Sequence, residues 1–117
     1  MAQTPEGKVK LAGRKIIKEY DPHYSTPFSG GFGSSGGFDG TILYRRHYIG
    51  IEYKATSKDK PTELQIKNAK KAYSEGAIIL LIHKDNIETI KNLLEDIKQG
   101  VQIDHRKRSV WPYGIDL

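Results

Sequence analysis

Apolar positions recur at helical spacing near the start of the chain, where Val9, Ala12, Ile16, Ile17 and Tyr20 fall on one face. Thr4, Pro5 and Glu6 supply a capping hydroxyl, a proline at the first helical position and an acid at the positive end of the helix dipole. Pro22 ends the pattern. "HYSTPF" is short and aromatic enough for an irregular strand. "TILY" (Thr41 to Tyr44) and "YIGIEYKA" (Tyr48 to Ala55) are rich in β-branched and aromatic residues and flank Arg45, Arg46 and His47, which predicts a hairpin. In the second of these strands, alternation puts Ile49, Ile51, Tyr53 and Ala55 on a buried face and Tyr48, Gly50, Glu52 and Lys54 on the other.

Beyond the polar loop "SKDK", Thr62 behind Pro61 opens a helix with Leu64, Ala69, Ala72 and Tyr73 on its apolar side. "AIILLI" (Ala77 to Ile82) is a buried strand. Asp85 or Asn86 is expected to cap a last helix carrying Ile87, Ile90, Leu93, Leu94 and Ile97. The order α, β, β, β, α, β, α, without internal repeat, predicts a single α/β domain, which suits a length of 117 residues. The core is expected over about residues 4–98, followed by a basic tail over about 99–117. In that tail the cluster His105 to Arg108 suits either phosphate contacts or solvated surface, and Trp111 either docks on the body or anchors a partner.

Nineteen Lys and Arg against fourteen Asp and Glu give a net charge of +5, which favours an anionic partner. The absence of Cys excludes disulfides and Cys-based zinc sites. No apolar run approaches a membrane span, and "MAQTPEGKVK" lacks the apolar core of a signal peptide, so a soluble intracellular protein without a membrane partner is expected.

Half of the twelve glycines lie between Ser29 and Gly40, and Gly31, Gly33 and Gly36 spell G-x-G-x-x-G. A dinucleotide site needs a strand before those glycines and a helix after them, because the helix N-terminus holds the pyrophosphate. Here the run leads into the strand "FDGTILY". No Gly-Lys-Ser or Gly-Lys-Thr closes the run as a Walker loop would require, so no nucleotide cofactor is expected. The glycines instead let backbone approach a ligand and deliver Asp39 to the start of a strand.

Closing the hairpin brings Asp39 towards Glu52 and Lys54. Three acid-x-Lys triplets occur, at Glu6, Glu52 and Asp96, but the first and last lie on predicted helices, where i and i+2 do not share a face. Two carboxylates at one spot repel unless a cation lies between them, and Mg²⁺ suits one or two carboxylates completed by water and phosphate. A surface salt bridge is the alternative for the same residues. The four histidines stand apart without metal spacing, and Ser34 and Ser35 have no evident His and Asp partners.

The stretches "TPEGKVK", "GGFDGTILY", "IGIEYKA", "KPTELQ" and "SEGAIILLI" resemble the virus-type replication-repair (VRR-NUC) branch of the PD-(D/E)XK nuclease superfamily, from about Thr4 to Ile82. The resemblance implies an αβββαβ restriction-endonuclease-like core with a central mixed sheet and an added C-terminal helix. It implies that Asp39 and Glu52 bind Mg²⁺ or Mn²⁺ with the main-chain carbonyl of Tyr53, and that Lys54 orients the attacking water and stabilises charge on phosphate. Gln65 would brace the lysine or the substrate, and Glu6 would reach the metal shell. A helix-start acid and a polar helix face are the plain alternatives for Glu6 and Gln65. The superfamily's proline before the aspartate is replaced by Phe38.

The expected activity is metal-dependent hydrolysis of DNA phosphodiesters, selective for four-way junctions or other branched DNA, in phage-type replication, recombination or repair in a bacterial cytoplasm. Arg45, Arg46, His47, Lys58, Lys60, Arg106, Lys107 and Arg108 are the candidate phosphate contacts on branched or duplex DNA. A homodimer is expected from the resemblance and from the two cuts a junction needs, with the last helix and Trp111 as candidate surfaces. A non-catalytic nucleic-acid-binding module and a sequence-specific restriction or homing endonuclease are the competing readings.

Overall fold

The computed structural model describes residues 4–27 and 37–113, so the G-x-G-x-x-G glycines and the expected role of their run lie outside the described residues. Helix α1 (Pro5–Tyr20) starts where Thr4 Oγ1 accepts from the Gly7 amide at 3.0 Å, with proline in its first turn. Strands β1 (His23–Ser25), β2 (Gly40–Tyr44) and β3 (His47–Tyr53) form an antiparallel meander. Helix α2 (Glu63–Ser74) then crosses over to β4 (Ile78–Ile82), which pairs with β3 in parallel. Helices α3 (Glu88–Lys98) and α4 (His105–Arg108) complete the chain in one α/β domain built on a mixed four-stranded sheet. Among the described residues no helix is long and apolar enough to cross a membrane.

Alternation decides which residues meet on each face of the sheet. Ile49, Ile51 and Tyr53 of β3 join Ile78, Leu80 and Ile82 of β4 against Val9 and Ile17 of α1 and Ile90, Leu93, Leu94 and Ile97 of α3. On the other face Ile79 and Leu81 pack with Ala69 of α2, Phe38 and Trp111. The Glu52 face is therefore covered by α2 and the C-terminal segment rather than presented to solvent as a polar surface. β3 ends at Tyr53, so Lys54 and Ala55 lie beyond the strand instead of extending it.

Two further expectations are corrected, and of the two alternatives for Trp111 docking on the body is the one found. Leu64 is 54% exposed, and Ile66 packs in its place; five residues before Ala69, Leu64 points about 140° away around the helix, whereas Ile66 lies one turn from it. Neither Asp85 nor Asn86 caps α3, because Asn86 holds the preceding loop: its Oδ1 accepts from the His83 amide at 2.8 Å and its Nδ2 donates to the Leu81 carbonyl at 3.0 Å. Trp111 is only 6% exposed, packed against α2 and β4, with Nε1 donating to the Tyr113 carbonyl at 3.1 Å.

Helix α3, the last helix expected from the sequence, likewise buries its apolar side internally, which leaves neither it nor Trp111 as an apolar interface anchor. Nor is the C-terminal segment a free tail. Val110 forms a parallel bridge with Leu80 along the outer edge of β4, and Arg108 pairs with Asp96 of α3 at 2.8 Å. Pairing that edge also protects it from other chains.

Phe38, the residue before Asp39, packs its ring on Gly50. A Cβ at Gly50 would lie 2.5 Å from that ring, so β3 can carry no side chain there without moving the segment that leads to Asp39. Gly50→Ala should cost about 1–3 kcal/mol, the usual penalty of overpacking. Urea unfolding measures it; unchanged stability would show that Phe38 is not seated on Gly50.

Candidate functional site

The hairpin register sets Gly40 opposite Ile51, which brings Asp39 level with the end of β3. There the carboxylate takes over from the backbone ladder: the Tyr53 amide donates to Asp39 Oδ2 at 2.8 Å. The other oxygen, Oδ1, lies 3.7 Å from Lys10 Nζ, which also pairs with Glu6 Oε2 at 3.5 Å. Lys10 was not singled out from the sequence. Its signal was the i,i+4 spacing from Glu6 on α1.

Glu52 is the one buried acid among the described residues, with 2% of its surface exposed. Its Oε1 accepts from Gln65 Nε2 at 3.0 Å, and the same amide's Oε1 accepts from Lys54 Nζ at 3.3 Å. Gln65 is itself fixed by the start of α2. In the capping box Thr62 Oγ1 accepts from the Gln65 amide at 3.1 Å while Gln65 Oε1 accepts from the Thr62 amide at 2.8 Å. A helix cap thus orients the side chain that joins Glu52 to Lys54.

Burial pushes the Glu52 carboxyl up to about 9, aided by a hydrogen bond with Asp39 and by the negative charges of Asp39 and Glu6, with Lys54 acting in the opposite direction. Without a cation, Glu52 therefore favours its protonated form. A divalent ion can replace that proton, and a set of carboxylate and carbonyl oxygens suits Mg²⁺ or Mn²⁺. Among the described residues no three acids or histidines form a ready metal cluster. Asp39, Glu52 and the Tyr53 carbonyl would hold the ion, water and phosphate would complete its shell, and Glu6 stands paired to Lys10.

The basic candidates divide between the two ends of the sheet. Lys58 and Lys60 lie in the loop that follows Lys54, both exposed, with Lys60 Nζ 5.8 Å from the Tyr113 ring centre. Arg45, Arg46 and His47 occupy the β2–β3 turn, five residues up β3 from Glu52 and hence about 17 Å away. His105, at the start of α4, shares a cavity with that turn, while Arg106 and Lys107 are exposed beside it on α4 and Arg108 is tied to Asp96. That cavity, about 540 Å³ in volume, is remote from the carboxylates.

Fold and site together define an α/β domain with a paired-carboxylate, lysine and glutamine centre at the end of its central hairpin. The chain matches no protein-family model, no curated protein and no solved structure.

Folding leaves Glu52 holding a proton that the unfolded chain releases at the ordinary glutamate value of 4.5. The stability of metal-free protein should therefore be full below that value and fall as pH rises from 4.5 towards about 9. Melting in EDTA should show this decline, Glu52→Gln should flatten it, and Mg²⁺ should raise the melting temperature more at an alkaline than at an acidic pH within that window. A wild-type profile identical to that of Glu52→Gln would refute the buried proton.

Proposed function

We propose that this domain is a metal-dependent DNA endonuclease of the PD-(D/E)XK type, with a restriction-endonuclease-like core of the VRR-NUC kind. The observation that carries the reading is the buried Glu52 carboxyl beside Asp39, joined through Gln65 to Lys54 at the end of β3. The element order and the change from antiparallel β2–β3 to parallel β3–β4 support the core assignment.

Asp39 and Glu52 are the protein's anionic ligands in this reading, and the Tyr53 carbonyl is the neutral one. A bound divalent cation supplies Lewis acidity at the phosphate and a more acidic water. Lys54 donates to the attacking water and places positive charge where the phosphate gains negative charge. Gln65 keeps the lysine from swinging into solvent and holds the adjacent glutamate oxygen. Lys10 and Glu6 act through Asp39, setting the charge around its outer oxygen.

DNA is drawn to the domain by its net positive charge of +5, with Lys58 and Lys60 in the loop that follows Lys54 and Arg45, Arg46 and the α4 cations towards the other end of the sheet. Branched DNA is the proposed substrate, and two copies related by a twofold axis would supply paired incisions. A non-catalytic DNA-binding module is the second reading. The Tyr53 amide and Lys10 already occupy both Asp39 oxygens, which gives that residue a purely structural use.

The purified chain, incubated with four-way, flapped and linear DNA, should cut only with Mg²⁺ or Mn²⁺. Asp39→Asn, Glu52→Gln and Lys54→Ala should each lose about a hundredfold or more in rate, several kcal/mol of barrier, with the fold retained by circular dichroism. Full activity in Asp39→Asn would refute the site, and DNA binding without cleavage by any version would select the second reading. Light scattering run alongside should give a dimer mass; a monomer that nicks one strand per junction would remove the paired-incision scheme.

A further inference from the structure

The cavity remote from the carboxylates has a chemistry of its own. It opens between the β2–β3 turn, the end of α2 and the start of β4, and Arg46, His47, Tyr48 and His105 line it beside apolar Ile78 and Ile103. Its one acid, Glu75, is held by Lys71 at 3.3 Å. A second cavity, of about 340 Å³, shares Tyr48 and Ala72 with the first and runs along the sheet to Phe38 and Thr41, next to Asp39.

Arg45 and Arg46 have φ of 46° and 71°, the left-handed conformations that two-residue hairpin turns usually assign to Asn and Gly. For a residue with a side chain this conformation is strained. Arg45 has a structural return, since it donates to the Lys98 carbonyl at the end of α3 at 3.0 Å and lies 5.3 Å from the Tyr44 ring centre. The Arg46 guanidinium has no hydrogen-bond or ion-pair partner among the described residues, and Arg46 lines the cavity. Beside it Tyr48 is 45% exposed, directly opposite the exposed Leu43 in the hairpin register. An exposed cation free of protein partners beside an exposed aromatic ring offers a phosphate contact and a stacking face side by side.

We propose that this groove binds a single strand of DNA, with one base stacked on Tyr48 and a phosphate held by Arg46 between His47 and His105. The larger cavity, at about 540 Å³, lies in the size range of small-molecule sites and has room for one nucleotide. A base in a duplex is already stacked on both faces, whereas a single strand has faces free for an aromatic side chain. From Tyr48 to Glu52 is four strand residues, about 13 Å, the length of about four stacked nucleotides. The inference rests on the nucleic-acid reading of the domain but not on its metal. It makes the preferred substrate a branch that carries an unpaired strand.

Fluorescence anisotropy with the full chain in EDTA tests this, using a labelled oligothymidine of about 12 nucleotides and a duplex of equal length. The single strand should bind more tightly than the duplex. Tyr48→Ala should weaken it roughly five- to hundredfold, the range of one base's stacking, while Tyr48→Phe should bind as wild type. Arg46→Gly should melt at a higher temperature, because the turn is relieved, and still bind the strand more weakly; a residue with only a structural role would not separate the two readouts. Wild type that binds neither DNA overturns the nucleic-acid reading itself. Wild type that binds the strand, with Tyr48→Ala and Arg46→Gly unchanged, overturns the groove alone. Thymidine monophosphate competing as well as the oligonucleotide would make this a free-nucleotide pocket and end the single-strand proposal.

Discussion

A carboxyl group buried on the central hairpin, with a second carboxylate beside it, is the constraint around which the site is organised. Burial makes ionised Glu52 costly, and the proximity of Asp39 makes it costlier. The surroundings answer with the Gln65 amide, the Lys54 ammonium and a retained proton. Each partner is positioned by something else the fold already needs: Gln65 by the α2 capping box, Asp39 by the Tyr53 amide, Lys54 by the end of the strand. A polar cluster in so dry a place is stable only when its members are paired.

The sheet acts as a ruler between this centre and the β2–β3 turn. In an antiparallel hairpin the opening residue of β2 and the closing residues of β3 must coincide, while the turn lies a full strand length away. Asp39 and Glu52 therefore meet, and Arg45, Arg46 and His47 cannot join them. The cations at the turn serve a surface of their own, next to α4 and His105. The C-terminal segment builds that surface because it packs on β4 through Val110, Trp111 and the Arg108 pair with Asp96.

Much of this was legible along the chain. The helix at Thr4 and Pro5, the hairpin, the Thr62 start and the buried "AIILLI" strand arise from capping chemistry and hydrophobic period, which act over a few residues. Period two also separated Glu52 from Tyr53 and brought Asp39 to the same end of the hairpin. Less accessible was the identity of the cover on each face. Leu64 and Ile66 are both apolar and near the same helix start, and only the docking angle of α2 buries one and exposes the other. Asn86 has the right residue type for a cap, but its side chain is taken by His83 and Leu81.

The sequence by itself determined the order of elements as far as α3, the alternation that separates Glu52 from Ile51 and Tyr53, and the excess of positive charge, because these depend on neighbours within a turn or a strand or on composition alone. The tertiary structure decided that Glu52 is buried under α2, that Lys10 reaches Asp39 from α1, and that Trp111 lies inside the protein. Those outcomes depend on pairing and packing between segments far apart in sequence. Charge, burial and proton affinity at a carboxyl group are properties of those assembled surroundings, and no local pattern encodes them.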